Sequence, residues 1–312
     1  MLNNQSIFIT GGTGTLGKAF LKKALAQFPN IKAITVYSRD EMKQYDLRRK
    51  YPSADFPMIS WVIGDIRDAA RLNEKMKGAD IVIHAAAMKH IPICEENPEE
   101  CLKTNVEGTK NVIHAAIENG VKKSILASTD KAVDPISIYG NSKQAAEKLF
   151  LNAGNESSKF SIIRLGNIWG SRGSVVPLFI ELSKTGVIPI THQEMTRFFC
   201  TEEQSSDTLL YTLEYMQGGE IIIPKMEAHR IIDIANQIAP NCEHKIIGLR
   251  GFEKIGEKLA SNIELDRTKE DLNYWTIKNL DTNLSSDLSS IRNPADLDSQ
   301  SASRSVFNYQ LN

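Results

Sequence analysis

Tyr139 and Lys143 stand four residues apart in the stretch ASTDKAVDPISIYGNSK, residues 127–143. On a helix that spacing puts both side chains on one face. There an ammonium can lower the pKa of a phenol and make it a base for an alcohol that is losing hydride. Just upstream, Asp130 and Lys131 add a carboxylate and a second amine, and Ser128 and Thr129 add two hydroxyls. A Tyr-x-x-x-Lys pair occurs by chance in many helices, so its meaning depends on what positions it.

The elements around it follow a regular rhythm. Short apolar runs stand at residues 6–10, 33–38, 58–64, 80–87, 123–128 and 160–166, separated by segments of helical length. Six such strands alternating with helices predict a parallel, doubly wound α/β sheet covered on both faces. One helix is expected over 97–120, with Asn97 as its cap, Pro98 in its first turn and Gly120 as its stop. The Tyr–Lys pair follows the fifth strand, and Ser128 and Thr129 lie at that strand's end. Ligands of such sheets bind at this carboxyl edge.

The first strand runs into ITGGTGTLG, which places Gly11, Gly14 and Gly17 in a turn that opens a helix. A tight turn needs positive φ, and a pyrophosphate needs backbone free of Cβ atoms beside a helix N-terminus. Strand, turn and helix in this order predict a dinucleotide site, with Thr13, Thr15 and Leu16 in the same turn. The second strand ends in YSRDEMK, where Ser38, Arg39 and Lys43 suit a ribose 2′-phosphate. Asp40 comes later than the usual acidic position, so NADP is favoured over NAD. Asp65 and Ile66 close the third strand beside the adenine, and Ala85, Ala86 and Ala87 end the fourth.

After residue 166 the rhythm breaks into shorter runs at 172–177, 188–191, 218–224 and 245–250. The expected division is a dinucleotide-binding domain over 1–166 and a substrate lobe over 167–280 with some chain returning to the sheet. A loosely docked Ser- and Asp-rich tail follows over 281–312. With 37 Lys and Arg against 38 Asp and Glu, the chain does not read as a nucleic-acid or membrane-surface binder. Its four cysteines form no metal or disulfide pattern, no metal site is expected, and no run is long enough to span a membrane. A cytoplasmic protein with free thiols is the expectation.

With these elements in place, the sequence resembles the extended short-chain dehydrogenase/reductases. Within them it is most similar to the inverting UDP-N-acetylglucosamine 4,6-dehydratases of pseudaminic acid biosynthesis. The likeness runs over about residues 5–260 and rests on ITGGTGTLGK, YSRDEMKQ, GDIRD, HAAAMKHIPICEENPEECLKTN, STDKAVDPISIYGNSK, GNIWGSRGSVVPLF and MTRFF. Retaining dehydratases of this group usually carry Asp-Glu where this chain has Asp130 and Lys131, and 4-epimerases lack the acid–base pair. The resemblance therefore implies NADP-dependent dehydration of a UDP-N-acetylhexosamine with inversion at C5. Tyr139 would take the C4 hydroxyl proton, Lys131 the C5 proton, and protonated Asp130 would serve the departing C6 hydroxyl.

The resemblance also implies a UDP-sugar site. Arg172, Arg197 and Arg250 fit diphosphate and ribose clamps. Asn167 and Glu253 would contact the nucleotide, Val175 and Thr191 would line the site, and Lys89 would lie near sugar or cofactor. Self-association is usual in the family. Two positions depart from its pattern: RGFEK at 250–254 replaces Arg-Pro-Gly-Glu-Lys, and Leu165 stands where a Tyr is expected. Three alternatives remain open: a UDP-sugar 4-epimerase, a retaining dehydratase, and a catalytically silent NADP-binding regulatory protein.

Overall fold

The computed structural model describes residues 1–278 and 297–300. All six strands read from the sequence are present and pair side by side. They are β1 (Ser6–Thr10), β2 (Ala33–Ser38), β3 (Ile59–Ile63), β4 (Ile81–His84), β5 (Lys123–Thr129) and β6 (Lys159–Leu165). Their order across the sheet is β3-β2-β1-β4-β5-β6, all parallel. This is the doubly wound Rossmann-like order, and every residue of β1 and β4 is buried, as expected when helices cover both faces.

Later chain extends and caps this frame. The further strands among the described residues are β7 (Asn167–Ile168), β8 (Val187–Ile190), β9 (Thr196–Cys200), β10 (Ile221–Pro224), β11 (Glu227–Arg230), β12 (Glu243–Ile246), β13 (Thr268–Glu270) and β14 (Tyr274–Ile277). β10 joins β6 in parallel, β14 pairs antiparallel with β10, and β13 pairs with β14, making a nine-stranded sheet. The run at 218–224 is thus a strand of the main sheet. β11, β9 and β7 form a three-stranded sheet, and β12 and β8 a two-stranded one. Val176, Phe179, Ile188, Phe199 and Ile234 build a second apolar cluster there, apart from the main core. Residues 172–177, expected as strand or loop, begin the helix Val175–Leu182.

The helix expected over 97–120 is three pieces. An α-helix over Pro98–Leu102 passes into a π-helical turn at Lys103–Glu107 and then into an α-helix over Gly108–Glu118. Asn97 does not cap with its side chain, which instead donates to the Ile93 carbonyl at 3.0 Å. Gly120 does end the segment in a left-handed conformation, with φ 65°. The wider π turn carries Asn105, whose amide accepts from the Met88 N–H at 2.8 Å and donates to the Met88 carbonyl at 2.9 Å. It pins the chain that runs from β4 to Lys89.

Of the expected tail over 281–312, only residues 297–300 are among those described, and the remainder lies outside them. Leu297 and Ser299 are buried, and Asp298 bridges Lys258 in antiparallel fashion.

Candidate active site

A cavity of about 1090 Å³ opens along the carboxyl edge of the sheet. Its floor begins with the glycine turn. Gly11 has φ 66°, and a Cβ there would meet the Ala86 nitrogen at 2.6 Å, so only glycine fits the position. The helix Thr15–Gln27 starts at Gly14 with no side-chain cap and no acidic residue in its first turn. Its first N–H groups and positive dipole end therefore face the cavity, an arrangement that suits a diphosphate. Thr13, Thr15, Leu16 and Gly17 line the same wall.

The next strand ends continue this wall. Ser38, Arg39 and Lys43 line it after β2, Asp65 and Ile66 after β3, and Ala85, Ala86, Ala87 and Lys89 after β4. Asp40 is the N-cap of the helix Glu41–Lys50, where its carboxylate accepts from the Lys43 N–H at 3.0 Å and pairs with Lys43 Nζ at 2.5 Å. A carboxylate so engaged differs from a free ribose ligand, and the Arg39 guanidinium beside it is half exposed. Asp65 is bound by Arg67 at 2.7 Å and lies 3.7 Å from Arg39.

The acid–base cluster assembles at the end of β5. Lys131 lines the cavity, and its ammonium donates to Asp130 Oδ1 at 2.9 Å and to Asn167 Oδ1 at 3.2 Å. The Thr129 hydroxyl donates to the same Asp130 oxygen at 2.9 Å. Asp130 itself is wholly buried and does not reach the cavity wall, whereas Thr129 and Lys131 do. The sequence reading gave Asp130 direct access to the sugar; the fold places it one hydrogen bond behind.

Tyr139 and Lys143 sit on the helix Ile138–Leu151, whose N-cap Ser137 accepts from the Gly140 N–H at 3.1 Å. Glu95 adds a second anchor, accepting from the Ile138 N–H at 2.6 Å. A Cβ at Gly140 would lie 2.4 Å from the Lys131 carbonyl oxygen, so glycine lets this helix close onto the turn that carries Lys131. Burial pushes the Tyr139 phenol above its ordinary value, opposed by its contact with the Thr129 side chain and reinforced by the Asp130 charge. Lys143 donates to the Ala127 carbonyl at 2.9 Å. Burial lowers its ammonium to about 8, against the opposing pull of Glu147. Burial, and then the like charge of Lys131, also lowers Lys89.

The residues expected to hold a nucleotide sugar divide into two groups. Asn167, Arg172, Val175 and Arg250 line the cavity; Thr191, Arg197 and Glu253 do not. Arg197 is buried, with its guanidinium donating to the carbonyls of Thr196 at 2.7 Å, Ile255 at 3.0 Å and Lys254 at 2.9 Å. It holds backbone together. Thr191 turns its hydroxyl to the Met195 sulfur at 3.4 Å, and Glu253 pairs with Arg250. The departure at 250–254 has a visible effect: Phe252 lies under the Arg250 guanidinium at 5.1 Å, a cation–π contact.

Several lining residues escaped the sequence reading, among them His90, Thr104 and Ser171. His90 packs where a Gly173 Cβ would fall, only 2.1 Å from its Nε2, so the loop after β7 and the loop after β4 meet through this ring. The glycine in SRGS was the one local sign of that approach. Among the described residues no cluster of potential metal ligands occurs, and no helix is long and apolar enough to cross a membrane.

Residues 7–279 match the family model described as polysaccharide biosynthesis protein. A Campylobacter jejuni protein named UDP-N-acetylglucosamine 4,6-dehydratase (inverting) is 47% identical over 284 residues, which cover 89% of this chain and 84% of the relative. A Rickettsia bellii protein named UDP-glucose 4-epimerase is 40% identical over 288 residues, with 89% and 84% covered. The X-ray structure of Pen from Bacillus thuringiensis superimposes with a TM-score of 0.85 at 35% identity, covering 89% of this chain and 90% of that one.

Proposed function

The chain belongs to the polysaccharide biosynthesis protein family, with short-chain dehydrogenase/reductase architecture, and on that premise we propose that it is a UDP-N-acetylglucosamine 4,6-dehydratase that inverts C5. One observation carries the reading. Lys131 lines the cavity and is joined to Asp130 at 2.9 Å, beside Tyr139 and Lys143. The glycine turn, the uncapped helix start and Arg39 support NADP as cofactor, since Asp40 is engaged as a helix cap. When bound, NADP supplies the acceptor that takes hydride from C4 and gives it back at C6.

The side chains then divide the proton work. Tyr139 takes the C4 hydroxyl proton, with Lys143 on the same helix face adding the positive charge that favours a phenolate. The resulting 4-ketone acidifies the C5–H bond. Elimination needs a neutral amine and a protonated acid, and a single proton moved across the 2.9 Å contact converts the Asp130–Lys131 ion pair into that pair. Lys131 then removes the C5 proton, and Asp130 delivers its proton through the Thr129 hydroxyl to the departing C6 oxygen, releasing water and restoring the ion pair. Delivery to C5, on the opposite face, of the proton that Tyr139 took from the C4 hydroxyl returns every side chain to its starting state and gives the inverted 4-keto-6-deoxy sugar.

Arg172 and Arg250 provide positive charge for the diphosphate from the second lobe, and Asn167 orients Lys131. We assign residues 1–166 to cofactor binding and 167–280 to the sugar nucleotide, in a self-associating cytoplasmic enzyme that feeds synthesis of a pseudaminic acid-type surface glycan. Incubation with UDP-N-acetylglucosamine and no added NADPH tests the reaction. A C6 methyl signal in the proton NMR spectrum, deuterium at C5 in heavy water and L-type ring couplings are expected. The 40% identity to a protein named UDP-glucose 4-epimerase favours one other reading. A product that keeps its C6 hydroxyl and changes only at C4 would establish epimerisation instead.

A further inference from the structure

We propose that Glu257 is a positioning residue for Lys131, and that residues 297–300 act through it as a strap that fixes the acid–base turn. The chemical role of Lys131 comes from the reading above; the geometry stands apart from it. Residues 254–258 meet the turn at three points. Lys254 Nζ donates to the Val133 carbonyl at 2.7 Å, Lys258 Nζ pairs with Asp134 at 3.3 Å, and Glu257 Oε1 stands 3.9 Å from Lys131 Nζ. Asp134 has φ 43°, a left-handed conformation that a non-glycine residue holds only with support from its surroundings.

The strap grips the other side of the same segment. Ser299 is fully buried; its hydroxyl accepts from the Glu257 N–H at 2.7 Å and shares a hydrogen bond with the Thr196 hydroxyl at 2.9 Å. Its own N–H donates to the Glu257 carbonyl at 2.9 Å, and the Leu259 N–H donates to the Leu297 carbonyl at 2.8 Å. Both backbone polar groups of Glu257 are thus held by one residue 42 positions later. The family match ends at residue 279, so this strap lies beyond it.

Charges converge on Lys131 from each neighbouring element. Asp130 and Glu257 are negative, Lys89 opposes with a like charge, and Asn167 contributes an amide oxygen. Around Glu257, Lys254 at 3.3 Å and Arg197 at 4.0 Å share its charge. A carboxylate at this separation attracts the Lys131 ammonium and fixes where it stands. Glu257 therefore holds the Lys131 ammonium in place against Asp130 and Asn167.

The test uses the full-length chain with Glu257→Gln, Glu257→Asp and Ser299→Ala. Two readouts are followed against pH: kcat with UDP-N-acetylglucosamine, and labelling of Lys131 by an amine-reactive reagent, quantified by mass spectrometry. In Glu257→Gln the alkaline limb of kcat and the labelling midpoint both move to lower pH, while KM stays within about twofold. Glu257→Asp returns part of the shift, and Ser299→Ala moves both readouts the same way by less. A labelling midpoint unchanged in Glu257→Gln overturns the proposal, as does a loss of thermal stability with an unmoved pH profile. Should Glu257→Gln not fold, Ser299→Ala decides by the same two criteria. A wild-type protein that dehydrates no UDP-hexosamine overturns the functional reading alone, because the labelling midpoint is read without turnover.

Discussion

The two walls of the cavity are built by different means. On the wall proposed for the cofactor, most lining residues stand at or just after a strand end between β1 and β5, and main-chain geometry does much of the shaping through the Gly11 turn and the free N–H groups after Gly14. On the wall proposed for the sugar, Asn167 comes from β7, and Arg172 and Arg250 come from separated loops. Their positions depend on contacts such as His90 against Gly173, and Arg197 against the carbonyls at 254–255. A backbone-defined wall tolerates change in side chains better than one assembled from long-range contacts. Similar arginines can therefore do unlike work on the second wall, one exposed to a ligand and another bolting loops together.

The largest effect is expected where the walls meet. Replacing Lys131 with Ala should lower dehydration by about a thousandfold, within the usual range for a lost acid–base group, and leave NADP affinity in a fluorescence titration unchanged. An unaltered rate would remove Lys131 from the chemistry. Next come the two arginines. Arg197→Met strands three carbonyls and should destabilise the fold by about 3 kcal/mol, seen as a lower urea midpoint. Arg250→Ala should leave that midpoint alone and raise KM for the UDP-sugar about tenfold. The reverse pattern would erase the distinction between clamp and bolt.

On the cofactor wall, Arg39→Ala should weaken NADP about tenfold while NAD affinity stays the same, if the guanidinium meets a 2′-phosphate. A further effect concerns pH. His84 is fully buried, shares hydrogen bonds with Thr10 at 2.7 Å and Thr109 at 3.0 Å, and burial lowers its pKa from 6.5 to about 3. As pH falls below 6.5, the unfolded chain binds this proton first, so stability present at neutral pH drains away between 6.5 and about 3. The slope is at most about 1.4 kcal/mol per pH unit. Urea midpoints at pH 7 and 5 should differ less in His84→Asn than in the parent chain.

The sequence was most legible where the physics is local. Alternating apolar runs located all six parallel strands, and the glycine spacing located the turn, because each depends on neighbours a few residues away. The helix over 97–120 read as continuous because a π turn has no composition of its own; Asn105 earns its place by contacts with Met88, which no spacing reveals. Arg197 and Arg250 are equally basic in the sequence, and only the fold shows which guanidinium is enclosed by carbonyls. Ser299 sits in a stretch whose polarity suggests solvent, yet it is buried against Thr196 and Glu257.

The nine-stranded sheet bears on how the protein is made. β6 ends at residue 165, but its outer neighbour β10 begins only at 221, and β14, which covers β10, ends at 277. A nascent polypeptide emerging from the ribosome therefore carries an almost finished nucleotide fold with a bare hydrogen-bonding flank until some hundred further residues arrive. Cutting the gene after residue 166 should accordingly yield material that clumps through that flank.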